Sequence, residues 1–341
     1  MRLATYNVEW FNALFDDDGA LLHDNGWSAR WDVTRAMQLD ALTEVFNALD
    51  ADGIVVIEAP DSSRNRNGRR ALETFAAHAG LRAREAVIGF QNDTQQEILF
   101  LYDPDVLTPR HAPGSSPNAP RFDQSFAIDL DVDSAPEEVV FSKPPLELWL
   151  EGPNGFATHL IGVHAKSKAP HGAKDDTDAV RLKIANRRKQ LAQCIWIRRR
   201  VDALLNDDAS QMASDDLIVM GDFNDGPGLD QFEELFGRSG VEIVLGQGKN
   251  ALFDPHAAQA LSQRLGAAPT TARFYLRHEE RYLQALLDYA MVSSSIRARG
   301  PKWRILHPFD DKACWDQRGL RDALLTASDH FPVVLDIPLS P

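Results

Sequence analysis

Short, largely apolar runs, each stopping at a polar residue, recur from the first residues of this chain to the last, and this pattern most limits what it can fold into. Arg2 to Asn7 ends in an amide, Ile54-Val-Val-Ile57 runs into Glu58, Phe156 to His164 ends in an imidazole, and Leu217-Ile-Val-Met220 leads to Gly221-Asp222. Runs this short suit strands rather than helices, and unbroken apolarity suits a strand covered on both faces. Between them, Thr34 to Leu49 carries Met37, Leu39, Leu42, Val45, Phe46 and Leu49 at helical spacing, and a second helix is expected from about Arg69 to His78. Alternation of this kind predicts an α/β fold. Further strands are expected at Ala83 to Ile88, Ile98 to Tyr102, Val139 to Phe141, Leu146 to Leu150, Leu286 to Val292 and Pro332 to Ile337, with a long basic helix over about Asp178 to Leu205.

Pro104 to Pro136 is rich in Pro, Ser and Asp and shows little periodicity, which reads as a surface loop or insertion at about 104–136. No low-complexity linker or internal repeat divides the 341 residues, so residues 1–341 are expected to form one catalytic domain. With 44% hydrophobic residues the chain has enough apolar material for a core. No run approaches the roughly 18 apolar residues of a membrane span, so no membrane insertion is expected. Met1 leads straight into a strand-like stretch rather than a signal peptide, and Cys194 and Cys314 are too few for a disulfide framework, so a cytoplasmic location is expected. No protein partner is evident.

A net charge of −14 argues against a polyanionic partner, but the charge is unevenly spread. From His164 to Arg200 there are eleven Lys or Arg and three acids, which makes that segment +8 and leaves −22 for the rest. One basic region therefore stands out, and Arg187 and Arg188 on its helix could reach a phosphate, although a charged helix face is usually only a solvated one.

The polar residues at strand ends carry the chemistry. Ligand-binding groups in α/β sheets gather at the carboxyl ends of strands, where separate loops converge. In Gly221-Asp222-Phe223-Asn224-Asp225-Gly226-Pro227, the alternate spacing puts Asp222 and Asn224 on one face, where an acid can take a proton from water while the amide holds that water. Alone, the segment reads equally as a turn after a buried strand. Ser328-Asp329-His330-Phe331-Pro332 offers a metal-directed carboxylate beside an imidazole, and alone it would read as a surface turn or helix cap. Lys166 and Lys168 follow His164 at alternate positions and would present two ammonium groups to a phosphate if the segment is extended, or to solvent if it is a loop.

Asn7 in Thr5-Tyr-Asn-Val-Glu9, Glu58 in Val56-Ile-Glu-Ala-Pro60, Gly162-Val-His-Ala-Lys-Ser-Lys168, Gly221-Asp-Phe-Asn224, Leu287-Asp288-Tyr289 and Ser328-Asp-His-Phe-Pro332 occur in that order. Together they resemble the ordered motifs of the endonuclease/exonuclease/phosphatase superfamily, which includes DNase I, exonuclease III-like repair enzymes, inositol polyphosphate 5-phosphatases and sphingomyelinases. The resemblance implies a four-layer α/β sandwich, two mixed β-sheets face to face with helices outside. It implies a metal-dependent phosphoesterase in which Glu58, helped by Asn7 and Asp329, binds Mg2+ or Mn2+. Asp222 would orient or deprotonate water, Asn224 would fix that water or a phosphate oxygen, His330 held by Asp288 would stabilise developing charge, and His164 would bond the phosphate or assist the leaving group. Lys166 and Lys168 would add phosphate contacts. Two departures stand out: Ile57 precedes Glu58 where many relatives have Gln, and Glu9 lies where repair endonucleases often carry Asp, to support the metal or face solvent. Nucleic acid is the first substrate class implied; a small phosphoester such as a phospholipid head group, sugar phosphate or organophosphate is the alternative, and a non-catalytic binding scaffold is a third reading.

Overall fold

The computed structural model describes residues 1–91, 96–130, 136–170, 172–206, 214–229, 233–262, 268–276 and 280–339. In chain order its strands are β1 (Arg2–Asn7), β2 (Gly53–Ala59), β3 (Glu85–Ile88), β4 (Glu97–Tyr102), β5 (Thr108–His111), β6 (Phe126–Ile128), β7 (Glu137–Val139), β8 (Leu146–Glu151), β9 (Ala157–His164), β10 (Leu217–Asp222), β11 (Ala272–Leu276), β12 (Arg281–Ala285), β13 (Asp288–Val292), β14 (Lys302–Ile305) and β15 (Val333–Asp336). The helices are α1 (Arg35–Leu49), α2 (Gly68–Ala79), α3 (Asp176–Leu205), α4 (Glu233–Phe236), α5 (Gly240–Leu245), α6 (Pro255–Ser262), α7 (Ser294–Ala298), α8 (Lys312–Asp316) and α9 (Arg318–Ala327).

Two mixed sheets form the frame, one of six strands in the order β14-β15-β1-β2-β4-β3 and one of five in the order β13-β10-β9-β8-β5. Strand alternation explains why the central runs are apolar throughout. In β2, Val55 and Ile57 face the second sheet while Ile54 and Val56 face the helices; in β10, Ile218 and Met220 face the first sheet while Leu217 and Val219 turn outward. The layer between the sheets is built from Val55, Ile57 and Phe100 on one side and Leu148, Leu160, Ile218 and Met220 on the other. Outside the first sheet, Leu42 and Phe46 of α1, Phe75 of α2 and Leu324 of α9 pack on Tyr6, Val56 and Leu99. Outside the second, Leu191, Trp196 and Ile197 of α3 cover Ile161, Val163 and Val219. The result is the four-layer sandwich that the motif order implied.

Local chemistry sets the helix limits. The Thr34 hydroxyl accepts the Met37 N–H to start α1, and the Asn67 side chain accepts the Arg70 N–H to start α2. Gly80, at φ 66°, closes α2 in the left-handed conformation.

The stretch expected as a surface loop at 104–136 is more ordered than its composition indicated. Its β5 adds to the outer edge of the second sheet against β8, a place where Pro109 removes no needed ladder bond. Its β6 pairs with β7, and Phe122 and Phe126 pack on Trp196 of α3. Residues 131–135 of that stretch lie outside the described residues. Among the described residues, no helix is long and apolar enough to cross a membrane.

Candidate active site

Strand direction brings the polar residues of six separate segments to one end of the sandwich. β1 and β2 are parallel, as are β9 and β10, so Asn7, Glu58, His164 and Asp222 emerge from the same ends of their pairs. β13 runs antiparallel to β10 with Asp288 opposite Asp222, and β15 runs antiparallel to β1, so its leading residues Asp329 and His330 arrive there too. Ser328 fastens the two chain ends: its hydroxyl donates to Asn7 O at 2.8 Å and accepts the N–H groups of Glu9 at 3.1 Å and His330 at 3.2 Å.

Two backbone distortions aim the carboxylates. Glu58 sits at φ 58°, where a non-glycine residue is strained, and the β2–β4 register shifts between Ile57 and Ala59 to accommodate it. Asn224 sits at φ 49°, which lets its backbone N–H reach Asp222 Oδ1 at 2.7 Å while its Nδ2 donates to Asp222 Oδ2 at 3.1 Å and Ala165 O at 3.1 Å. Gly221, at φ 140°, lies so close to β9 that a Cβ there would stand 2.0 Å from Val163 O.

Asp222 is the hub of the cluster. Asn7 Nδ2 donates to its Oδ2 at 3.0 Å, and His164 Nε2 lies 3.8 Å from that oxygen and 3.9 Å from Glu58 Oε1. Asp222, Asp288 and His330 present atoms all within 4.8 Å of one another. His330 Nδ1 bonds Asp288 Oδ2 at 2.8 Å, and the Thr271 hydroxyl accepts the Asp288 N–H at 2.9 Å. Gln96 Nε2 donates to Glu58 Oε2 at 2.6 Å, and Lys143 Nζ donates to Gln96 Oε1 at 2.6 Å and lies 3.4 Å from His164 Nδ1.

Burial in a common cleft then splits the titrations. Burial pushes Asp222 up to about 7, with the Asp288 charge reinforcing it and the His330 charge and the Asn224 and Asn7 bonds opposing it. Burial likewise raises Glu58, against the pull of Lys143 and His330, and brings Glu9 to about 7 with help from Asp329. His330 goes well above the ordinary imidazole value: burial opposes its charge, but Asp288, Asp222 and Asp329 outweigh burial. His164 falls well below that value through burial and the neighbouring charges of Lys143, His330 and Lys166. Two histidines in one cleft are thus held in opposite states, one an imidazolium and one neutral. An ammonium can only donate, so His164 Nδ1 accepts from Lys143 and the ring proton sits on Nε2, facing Glu58 and Asp222.

The residues fit a hard divalent cation. Asn7 Oδ1 is a buried oxygen with no hydrogen-bond partner among the described residues, and such an oxygen costs about 1–3 kcal/mol unless something takes it up. Asn7, Glu58 and Asp329 supply oxygen donors of the kind that suit Mg2+ or Mn2+. The tighter trio Asp222, Asp288 and His330 suits a metal less well, because an imidazolium bonded to a carboxylate has no lone pair to offer.

Not every residue singled out from sequence joins the cluster. Asn7, Glu58, His164, Asp222, Asn224, Asp288, Asp329 and His330 do, and Lys166 is near enough for its charge to depress His164. Lys168 is directed elsewhere: its ammonium bonds Asp225 Oδ1, which Arg187 Nη1 also reaches at 3.1 Å. Arg187 is only 1% exposed and cannot meet a substrate strand, while Arg188 pairs with Glu137 at 2.6 Å. Of the two helix cations singled out, Arg187 is therefore spent inside the protein and Arg188 on a surface ion pair, while Arg181, Lys183 and Arg199 of α3 stay exposed. Glu9 does not face solvent freely: it pairs with Arg30 and lies near enough to Asp329 to feel its charge. Lys143, Gln96 and Arg30 were not singled out from sequence. They lie in irregular segments with no periodic signal, and only a cation held before Pro144-Pro145 hinted at Lys143.

No family profile matches the sequence, and the comparison with curated proteins gave no match. Solved structures do match over the whole chain. An endonuclease/exonuclease/phosphatase from Bacteroides vulgatus superposes with a TM-score of 0.50 at 12% identity, covering 99% of this chain and 98% of its own. TDP2 from Caenorhabditis elegans gives 0.51 at 12% identity over 99% of this chain and 74% of its own, and D. rerio TDP2 in complex with a single-strand DNA product gives 0.50 at 11% identity over 99% of both. On this likeness, and on the sheet order above, the chain has the endonuclease/exonuclease/phosphatase fold that its motif order implied.

Proposed function

We propose that this chain is a divalent-metal-dependent phosphoesterase that hydrolyses phosphodiesters by attack of water, with residues 1–341 acting as one catalytic domain. The observation that carries this reading is the convergence, on one buried carboxylate, of a neutral and a charged histidine: His164 Nε2 lies 3.8 Å from Asp222, and His330 lies within 4.8 Å of it while bonded to Asp288. A phosphodiester repels nucleophiles, so its hydrolysis needs a base for water and donors that strengthen as negative charge develops. Asp222 accepts the proton of the attacking water, and Asn224 keeps that carboxylate in place and orients the water or a phosphate oxygen. The His330 imidazolium, held by Asp288, donates from Nε2 to the oxygen gaining charge. Neutral His164 donates from Nε2 to the phosphate or the leaving oxygen, with Lys143 and Lys166 adding positive charge beside it. Asn7, Glu58 and Asp329 would hold Mg2+ or Mn2+, which neutralises non-bridging oxygens when bound.

Nucleic acid remains the first substrate class, though the engagement of Lys168, Arg187 and Arg188 with acids of the protein withdraws those three cations from its support. A small phosphoester is the competing class, favoured by the net charge of −14. A scaffold without catalysis is disfavoured because every residue the chemistry needs is present. Both cysteines are buried free thiols, which suits a reducing compartment such as the cytoplasm. The test is a panel of duplex DNA, abasic DNA, RNA, bis-p-nitrophenyl phosphate and p-nitrophenyl phosphate with Mg2+, Mn2+, Ca2+ or EDTA. Metal-dependent diester cleavage that disappears in Asp222→Asn, with folding intact, is the expected result; turnover retained by that variant would remove Asp222 from the role given it.

A further inference from the structure

Apart from α3, the stretch Arg64-Asn-Arg-Asn-Gly-Arg-Arg70 puts four arginines within seven positions, and the chemistry above uses none of them. All four line one cavity of about 500 Å³, set between the β2–α2 loop and Asp17 and Asp18 of the segment joining β1 to α1. Four guanidiniums against two carboxylates leave the lining at +2, in a chain whose net charge is −14. Two of the four are already engaged. Arg66 pairs with Asp17 at 2.7 Å, and Arg69 Nε donates to Glu73 Oε1 at 2.8 Å. Arg64 and Arg70 are exposed, and among the described residues their guanidiniums meet no carboxylate or carbonyl.

The loop that carries them is fixed in place. The Ser63 N–H donates to Arg66 O at 3.1 Å, and the Asp61 N–H donates to Asn12 Oδ1 at 3.1 Å. A Cβ at Gly68 would stand 2.1 Å from Pro60 O, so α2 starts hard against the residue that lies two positions after Glu58. Two residues span at most about 7 Å, which puts this loop beside the proposed metal carboxylate. In the first turn of α2, Ser62 Oγ takes the Gly68 N–H at 3.1 Å and Asn67 Oδ1 takes that of Arg70 at 3.0 Å. The Arg69 N–H between them has no acceptor among the described residues. Donors held in position before a ligand arrives lose little entropy on binding it. Each guanidinium fork takes phosphate oxygens in pairs, so two open forks with a backbone N–H match a group that offers several oxygens and two charges. A phosphomonoester, with about −1.5 to −2 charge near pH 7, is such a group, whereas a carboxylate or a phosphodiester brings a single charge.

We propose that this cavity is a subsite for a terminal phosphomonoester, carried by the substrate at a distance from the bond that is cleaved and held by Arg64, Arg70 and the Arg69 N–H. The assignment rests on the phosphoesterase reading for which bond is cleaved, and it narrows the substrate to one that bears a second, terminal phosphate.

Diesters with one leaving group test it: p-nitrophenyl phosphate esters of straight-chain diols of increasing length, whose far end is a hydroxyl, a phosphate or a methyl-capped phosphate, with Mg2+. At the best length the wild-type protein should favour the phosphate end over the hydroxyl end by about tenfold or more in kcat/KM, the worth of one charge-assisted contact. Arg64→Gln combined with Arg70→Gln, both on the surface, should erase that gain and leave the rate on the hydroxyl-ended ester unchanged. No gain at any length, a gain that survives the double variant, or an equal gain from the methyl-capped phosphate would each overturn the subsite. Calorimetric titration with inorganic phosphate in EDTA judges the site without turnover. Should none of the esters be cleaved, the phosphoesterase reading falls, while phosphate binding that is lost in the double variant upholds the anion site and unchanged binding overturns it. Oligothymidylate with and without a 5′-terminal phosphate, in the same assay, separates the end of a strand from a small molecule as the source of the group.

Discussion

Replacing Asp225 by Asn isolates what the basic helix is for. Asp225 is 0% exposed; its Oδ1 holds the Lys168 ammonium and Arg187 Nη1 at 3.1 Å, and its Oδ2 accepts the Gly240 N–H at 2.6 Å. The amide keeps the shape and can still accept from Gly240, but the charge is gone. The Lys168 and Arg187 side chains, 14% and 1% exposed, would then face each other with little water to screen them. Removing one partner of a buried ion pair costs about 3–5 kcal/mol, whereas replacing the whole pair with apolar groups is often neutral. Urea unfolding should therefore show Asp225→Asn losing about 3 kcal/mol or more, and the double variant Asp225→Asn with Arg187→Met, which removes the fully buried cation and keeps an oxygen for the Gly240 N–H and for Lys168, recovering part of it. In that double variant, KM for single-stranded polynucleotide should stay at the wild-type value. A loss under about 1 kcal/mol in the single variant would refute the ion-pair argument. A folded double variant whose polynucleotide KM rises about tenfold would return Arg187 to the substrate, since that is the effect of losing one good contact.

Three further outcomes follow from the site. Asp288→Asn removes the strongest support for the His330 charge; since a raised imidazole stays charged until pH climbs through its folded value, the alkaline limb of kcat should move to lower pH, with kcat down about 10- to 100-fold, and an unmoved limb would exclude His330 as the titrating acid. Burial raises Glu58, the carboxylate proposed to hold the cation, so protons compete with the metal there; calorimetry should find Mg2+ affinity rising with pH above the ordinary carboxylate range, and a flat profile would remove Glu58 from the metal site. Gly221→Ala places a Cβ 2.0 Å from the Val163 carbonyl, backbone against backbone at φ 140°, and thermal unfolding should reveal a loss of about 4 kcal/mol or more; a stability close to wild type would mean that β9 and β10 can part without cost.

Much of the frame was legible in the sequence, because burial on two faces writes itself as unbroken apolarity. β1, β2, β9 and β10 lie where those runs lie, and the polar residue that ends each run points to the site for the plain reason that a strand must stop where its apolar cover stops. Asn7, Glu58, His164 and Asp222 could be found that way. Asp288, Asp329 and His330 stand at the starts of strands instead, and it was the antiparallel placement of β13 and β15 that carried them to the same end.

Partnership was invisible. Arg187 and Lys168 read as exposed cations in a basic run, yet a buried Asp225 claims both; Lys143, three residues from no motif, became the cation beside Glu58 and His164. Thr108–His111 gave no strand signal, since an edge strand need satisfy only one neighbour and tolerates Pro109. Periodicity along a chain records which face of an element is covered. Which charge meets which, and whether a histidine in the cleft is neutral or protonated, depends on distances between residues hundreds of positions apart, and those exist only once the two sheets have closed on each other.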